Sequence, residues 1–351
     1  MNMKLNPRLH KTSSRKKDHV LLTVKKDVKF KEKTNHFEKW EFCHNALPEI
    51  NFSEIDTTTV FLHKELSFPF LISCMTGGYK EAKLINRQLA EVCEEKKIAL
   101  GVGSQRQALE NSDYHSSFSI VRKAAPTIPI IGNIGASEVA QLRDTSSIQK
   151  LADMIQANAF AIHLNPLQEL IQPEGSTNFR GVLNGIEKLV NKLSIPVIVK
   201  EIGAGISFNV AKKLADVGVT YIDVAGAGGT SWAGVEILRK NKSSWQEIFW
   251  DWGIPTADSL TQVSELKKEF PSLQIISSGG ITNGIEIAKS VAMSADVVGS
   301  ARPLLQQLIN YGKKGLDQLI NDWHSQLKGA MFLVGALTID ELQHTAIQKV
   351  S

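Results

Sequence analysis

From residue 68 onward the apolar and polar positions repeat one theme. A short apolar run ends in small or polar residues, and a longer segment with apolar positions at helical spacing follows. Alternating β and α units read this way. Eight such runs stand at 68–74, 98–103, 128–133, 160–165, 196–200, 221–224, 273–277 and 295–299. Eight parallel strands with intervening helices close the common (β/α)8 (TIM) barrel of the α/β class. An open doubly wound sheet is the rival, but it gathers ligand-binding loops at one switch point, whereas every run here ends in a polar or glycine-rich cluster. Segment 80–97 shows the helical half of the theme. Leu84, Ile85, Leu89 and Val92 recur at helical spacing while Lys83, Arg87, Glu91 and Glu95 can face water.

The pattern divides the chain into a lead-in, 1–67, expected to pack on the barrel as a basic arm, and a barrel domain, 68–351. The stretch 230–255, after the sixth strand, is longer than an ordinary connection and holds Trp232, Trp245, Trp250 and Trp252. It reads either as a lid over the barrel mouth or as a packed surface excursion.

Charge changes the picture at the N-terminus. Residues 1–33 carry eleven Lys or Arg against three acids, a local +8, so the rest of the chain carries −4 of the total +4. Such a run is ordinarily a solvated tail. Sparse aromatic interleaving argues against nucleic acid, which leaves folding onto an anionic small molecule as the functional reading. Cys43, Cys74 and Cys93 form no C-x-x-C pair, so a reducing, cytoplasmic setting is expected, and no apolar run approaches the roughly 20 residues of a membrane span.

The strand ends carry the candidate chemistry. Ser278-Gly279-Gly280-Ile281 and Gly299-Ser300-Ala301-Arg302 follow the last two strands, where barrels recurrently hold a phosphate on backbone N–H groups. Met75-Thr76-Gly77-Gly78, Gly103-Ser104-Gln105-Arg106 and Gly132-Asn133-Ile134-Gly135 leave room for a flat ring. Lys200 and the Gly226–Ser231 run add a cation, amides and hydroxyls for its polar edge. Strand four ends in His163-Leu164-Asn165-Pro166-Leu167-Gln168-Glu169. Alternation puts His163 and Asn165 on one face, and Pro166 sends Gln168 and Glu169 into the mouth loop. A lone Glu169 beside a diphosphate suits Mg²⁺, which keeps water and phosphate oxygens as its other ligands. Arg15-Lys16-Lys17-Asp18-His19 is a candidate clamp for phosphate oxygens.

Taken together, RKKDH, MTGG, GVGSQR, GNIG, HLNPLQE, VKE, DVAGAGGTSW, SGGI and GSARP, in this order from Arg15 to about Thr345, resemble type 2 (FMN-dependent) isopentenyl-diphosphate delta-isomerases. The resemblance implies that Arg15, Lys16 and His19 bind a substrate diphosphate, with Ser104, Gln105, Arg106 and Asn165 in the same pocket. It puts Gln168 beside the reacting alkene as the catalytic residue and makes Glu169 the metal ligand. For FMN it implies Met75, Thr76, Gly77, Ser104, Asn133, Lys200, Thr230, Gly279, Gly280, Ser300 and Ala301. Ala225 stands where some members have Ser or Gly, which removes a possible hydroxyl contact. The implied reaction interconverts isopentenyl and dimethylallyl diphosphate with reduced FMN and Mg²⁺ and with NADPH as flavin reductant, in a homo-oligomer of four or more subunits with no nucleic-acid or membrane partner.

The closest alternative is an FMN-dependent 2-hydroxy acid oxidoreductase, because the phosphate end of such a site looks alike. Those enzymes take a substrate proton with a His and Arg pair near the late strands. Here Arg302 follows the eighth strand, but no His lies near it in sequence.

Overall fold

Successive side chains on a strand face opposite sides, and in this chain the two sides meet different surroundings. In the computed structural model, which describes residues 7–240 and 245–350, eight parallel strands close into a barrel. They are β1 (Phe70–Ile72), β2 (Ala99–Gly101), β3 (Ile130–Gly135), β4 (Ala159–His163), β5 (Val197–Lys200), β6 (Tyr221–Asp223), β7 (Gln274–Ser278) and β8 (Val297–Ser300). Each pairs with the next, and β8 returns to β1. All eight expected strands are present, with bounds shifted by one or two residues at most ends: β1, β2, β4 and β6 stop short at the mouth, while β3, β7 and β8 run one or two residues further than expected.

Outward positions such as Ile72, Leu100, Ile130, Ile162, Val199, Ile222 and Val298 pack into the large core shared with the helices. Inward positions Leu71, Ala99, Ile131, Ala161, Ile198, Ile276 and Val297 form a separate cluster inside the barrel. The hairpin of strands Thr59–Phe61 and Lys64–Leu66 adds Phe61, Leu62 and Leu66 to that inner cluster. Phe61 sits edge-on to Tyr221, 6.0 Å away at the start of β6, so hydrocarbon plugs the N-terminal end of the barrel. Two residues further along each strand the inward positions turn polar or small: Ser73, Gly101, Asn133, His163, Lys200, Asp223, Ser278 and Gly299. A Cβ on Gly101 would lie 2.5 Å from the Cys74 sulfur, and one on Gly299 2.6 Å from the Ser73 hydroxyl, so glycine keeps this upper layer thin.

The helices follow the strand ends as the periodicity requires. Ala82–Lys96 is the helix expected at 80–97, stopped by Lys97 in a left-handed conformation. The one after β8, Arg302–Val334, is two helical pieces joined at Gly312. The lead-in is more structured than a solvated tail. Pro7–Lys25 is a helix, and Val20 and Val24 pack on the main core. Residues 28–35 then run along the mouth loops of β6 and β7. The Val28 carbonyl accepts from Ser231 N–H at 2.8 Å, the Lys29 carbonyl from the Trp250 indole at 2.8 Å, and the Gly280 carbonyl from the Asn35 amide at 2.9 Å.

Within 230–255, Trp232–Lys240 is a helix and Trp245–Phe249 a 3-10 turn, while residues 241–244 lie outside the described residues. Trp250 is buried against Ile171, Ala233 and Ile237, and Lys31 lies over its ring at 4.5 Å. Trp245 and Trp252 are exposed. The stretch is therefore anchored by one tryptophan and presents two others to solvent, with Trp232 left to face the mouth.

The crossing of the lead-in over β6 depends on Gly228. Its φ is +114°, and a Cβ there would lie 2.1 Å from the Asn35 nitrogen. Gly228→Ala adds left-handed strain and a backbone clash, and is expected to cost about 2–5 kcal/mol. Urea unfolding gives the stability change, and limited proteolysis within 26–36 tests its location. An unchanged midpoint with unchanged cleavage would show that the crossing does not matter.

Candidate functional site

Above the polar inward layer lies a cavity of about 560 Å³, within the range that accommodates cofactors and small ligands. Met75, Thr76, Gly77, Ser104, Asn133, Lys200, Thr230, Gly279, Gly280, Ser300 and Ala301 line it, and so do Arg15, Lys16, His19, Arg106, Asn165, Gln168 and Glu169. One expectation fails geometrically. Gln105 does not line the cavity: it is fully buried, donates to the Leu151 carbonyl at 3.0 Å and accepts from Asn133 N–H at 3.1 Å. It stands one position past the mouth-facing Ser104, so its amide turns inward and braces Asn133.

The end of the cavity beyond β7 and β8 is built from backbone. Gly279 and Gly280 have φ of +111° and +75°, and a Cβ on Gly280 would lie 2.7 Å from the carbonyl carbon of Gly228. The helix beginning at Arg302 has Ala301 as its N-cap, with no side chain capping it. A glycine-lined wall beside an uncapped helix N-terminus fits a phosphate by its dipole and exposed amides, and Arg302 adds a cation.

The floor is a line of buried polar groups on neighbouring strands. The Asn133 side-chain Oδ1 lies 2.8 Å from His163 Nδ1. Burial, then the Lys200 and Lys16 charges, push His163 down to about 3, so its ring is neutral at ordinary pH. Lys200 donates to the Glu201 carbonyl at 2.5 Å and lies 3.5 Å from the Asp223 carboxylate. Asp223 in turn accepts from the Ser278 hydroxyl at 2.6 Å. The small residues around this line and the cation at one side form a cradle suited to a flat, polar-edged ring.

The N-terminal helix forms the opposite wall. Arg15 donates to Gln172 at 3.5 Å, Lys16 donates to the Ser104 carbonyl, and His19 Nε2 lies 2.8 Å from Glu236 Oε1. The Arg15 Nε and the Asn165 side-chain oxygen are buried without a protein partner among the described residues, the condition of groups that await a ligand or water. Burial is the largest influence on Lys16, and Arg15 and Arg106 add repulsion, bringing its ammonium down to about 7. The Gln168 side-chain Oε1 accepts from the Asn165 amide at 3.2 Å and its Nε2 donates to Glu236 at 3.1 Å. Glu169 accepts from Asn165 at 3.0 Å and from Ser176 N–H at 2.6 Å.

Three acids that the sequence reading did not single out belong here. Glu236, fully buried on the helix Trp232–Lys240, binds His19, Gln168 and, at 2.8 Å, Arg239. Burial raises its pKa, but His19, Arg239 and the Gln168 amide outweigh that and hold it ionised. The available signal was an acid between Val235 and Ile237 in an apolar helical run. Glu138 pairs with Arg106 at 2.9 Å, and Asp223 pairs with Lys200 as above. Among the described residues no cluster of three or more His, Cys, Asp or Glu could hold a metal by itself, and no helix is long and apolar enough to cross a membrane.

Known proteins resemble this chain at two levels. It is 46% identical to an isopentenyl-diphosphate delta-isomerase of Chlorobaculum parvum, over 96% of this chain and 97% of that one. It is 42% identical to one from Nostoc sp., over 95% of both. A family described as FMN-dependent dehydrogenase matches residues 140–349. Among solved structures, lactate oxidase of Pediococcus acidilactici superposes with a TM-score of 0.71 at 15% identity, covering 100% of this chain and 96% of that one. The flavin-binding domain of baker's yeast flavocytochrome b2 gives 0.67 at 17%, covering 92% and 79%. At such identities these two attest the barrel fold alone. Full-length similarity and the matched family agree with the strand-end residues, and the chain belongs to the isopentenyl-diphosphate delta-isomerase family, within the FMN-dependent dehydrogenase group of (β/α)8 barrels.

Proposed function

We propose that this protein interconverts isopentenyl and dimethylallyl diphosphate, adding a proton at one alkene carbon and removing one from the allylic position. One observation carries the reading: Arg15, Lys16 and His19 of the N-terminal helix share a single cavity with Gln168 and the floor cation Lys200. An anionic tail held at the first set lays its hydrocarbon end toward the second. In this reading the basic lead-in, through Arg15, Lys16 and His19, completes the site of the barrel.

Reduced FMN, when bound, would supply an electron-rich ring able to give and take a proton. Gly279, Gly280, Ser300 and Ala301 would hold its phosphate, and Met75, Thr76, Gly77, Ser104, Asn133, Lys200 and Thr230 its ring system. Arg15, Lys16 and His19, with Ser104, Arg106 and Asn165 nearby, would bind the diphosphate, and this remote binding fixes the alkene for reaction. Gln168 cannot titrate. Its amide is held at both ends, by Asn165 and by Glu236, so its role is to orient the reacting groups or to pass a proton through that amide. Glu169 would contribute one carboxylate to a Mg²⁺ ion whose other ligands are water and diphosphate oxygens. NADPH as flavin reductant, a cytoplasmic setting and a homo-oligomer of four or more subunits belong to the same proposal and rest on the family resemblance.

Oxidation of a 2-hydroxy acid fits less well. Among the described residues the histidines lining the cavity are His19, on the N-terminal helix, and His163 on β4, which is half-buried and neutral. Neither sits by the late strands.

Anaerobic protein loaded with FMN and reduced by NADPH or light should exchange solvent deuterium into isopentenyl diphosphate in the presence of Mg²⁺. No exchange under these conditions would refute the reading. Gln168→Ala should lower turnover by about a hundredfold or more while flavin content stays constant. Glu169→Gln should raise the Mg²⁺ concentration needed for half-maximal rate by at least roughly tenfold. Both residues lie on the short helix Pro166–Ile171 rather than on the mouth loop expected from the sequence, and unchanged kinetics in both variants would remove that helix from the mechanism.

Lys16 gives a pH signature. With its pKa near 7 in the free protein, it is mostly neutral at pH 8, and a bound anion favours the charged form. Binding of inorganic pyrophosphate should therefore take up more protons at pH 8 in the wild-type protein than in Lys16→Met. The Lys16 contribution to affinity should fall as pH rises above 7. Titration calorimetry in two buffers of different ionisation heat measures the uptake, and equal uptake by both proteins would contradict the assignment.

A further inference from the structure

Asp223 is a buried acid that the reaction scheme above does not use. It is 1% exposed, at the inward end of β6, and in register with Lys200 of β5. Its Oδ1 accepts from the Ser278 hydroxyl at 2.6 Å and from Ala225 N–H at 3.2 Å, while its Oδ2 lies 3.5 Å from the Lys200 ammonium. The carboxylate is therefore oriented by strands on either side and aims its remaining oxygen at the floor cation. A carboxylate this deep is costly unless paired, which makes its retention beside a cavity-lining lysine informative.

Of the other titratable groups around the pair, two are neutral and one is only partly ionised near pH 7. His163, in register with Lys200 on the opposite side, is neutral. Burial pushes the Cys74 thiol up and keeps it protonated. The Glu201 side chain turns onto the backbone N–H groups of Ile202, Gly203 and Ala204, and burial raises it to about 7. At the floor of the cavity, then, Lys200 and Asp223 face each other directly, and the partial charge of Glu201 is turned away onto those backbone N–H groups.

We propose that Asp223 is the counter-ion that sets how much of the Lys200 charge is felt by a flavin bound above it, and so how tightly the reduced ring holds its proton. The proposal rests on the FMN reading of the cavity. An uncompensated lysine favours negative charge on a reduced ring, so it eases reduction and promotes loss of the ring proton. A carboxylate 3.5 Å from that lysine cancels much of its field. At the effective dielectric of protein sites, one unit charge several ångströms away changes proton affinity on the order of tenfold or more. A ring that must give and take a proton without net oxidation works better when that proton is retained. Asp223 acts through Lys200 and is a positioning and tuning residue.

The test uses FMN-loaded wild-type protein, Asp223→Asn, Asp223→Ser and Asp223→Glu, reduced anaerobically with dithionite. The absorbance of the reduced flavin is followed against pH, and the midpoint potential is measured at fixed pH. Asp223→Asn should lower the pH at which the reduced flavin deprotonates by about one unit or more, a tenfold change, and raise the midpoint potential. Asp223→Ser removes the same charge in a smaller side chain and should shift both in the same direction, while Asp223→Glu keeps the charge and should retain wild-type values. Unchanged proton affinity and potential in the uncharged variants overturn the proposal, as does a shift in Asp223→Glu as large as that in Asp223→Asn. Loss of FMN from both uncharged variants also overturns it, by assigning Asp223 to the folding of the floor. Wild-type protein that binds FMN but fails to isomerise would defeat the proposed reaction and leave this measurement intact, whereas wild-type protein that binds no FMN would defeat the cofactor reading itself.

Discussion

The site depends on a charge pair carried at the top of an apolar barrel. Below the upper inward layer, Leu71, Ile131, Ile198, Ile276 and Val297 fill the interior, and the hairpin side chains Phe61 and Leu66 seal it. Water cannot reach the floor from beneath, so Lys200 and Asp223 must satisfy each other or a ligand. That constraint explains why the neighbours are as they are. Asn133 holds the neutral ring of His163, Ser278 holds Asp223, and Gly101 and Gly299 bring no side chain into the layer. A low-dielectric floor also makes each remaining charge act strongly on whatever lies above it.

The N-terminal helix imposes a second constraint from the other side. Three cations in five residues repel one another, and burial adds to the cost at Lys16. The protein offsets part of this through contacts that cross the mouth: His19 to Glu236, Lys16 to the Ser104 carbonyl, and Arg15 to Gln172. The remainder is left uncompensated, as the unpartnered Arg15 Nε indicates. A wall that is only partly neutralised is a good receptor for a polyanion, because binding relieves the repulsion as well as forming new bonds. Glu236 links the two constraints, since the same carboxylate that receives His19 also receives the Gln168 amide.

Much of the barrel was legible because period-2 runs and helical spacing are local signals. Every expected strand forms, and nearly all residues singled out from the strand ends line one cavity. Glycine and helix-start patterns report backbone geometry directly, so the Gly279-Gly280 and Ala301-Arg302 corner was readable. The failures have a common physical origin. Gln105 differs from Ser104 only in which side of the chain its side chain leaves, and a loop residue carries no periodicity to reveal that. Asp223, Glu138 and Glu236 matter because of partners 23, 32 and 217 residues away along the chain, Lys200, Arg106 and His19, which no window of sequence brings together. The basic run near the N-terminus could not be told from a solvated tail by its own residues for the same reason, and its place at the site was expected only from the resemblance: its partners lie across the barrel mouth.

Flavin oxidoreductases that share this barrel at about 15% identity show how little the fold decides. The glycine corner and the small-residue floor are what any phosphate-bearing flat ring requires, and they follow from the strand ends. This chain combines a cationic helix wall, an untitratable amide clamped between Asn165 and Glu236, and a floor lysine paired with an aspartate. A hydride acceptor profits from an unbalanced cation and a base beside the substrate carbon. Here the cation has a carboxylate 3.5 Å away, and the floor imidazole of His163 is held neutral by its burial and by the Lys200 and Lys16 charges. Such a floor disfavours accumulating negative charge on the ring and leaves proton traffic as the chemistry that its electrostatics support best.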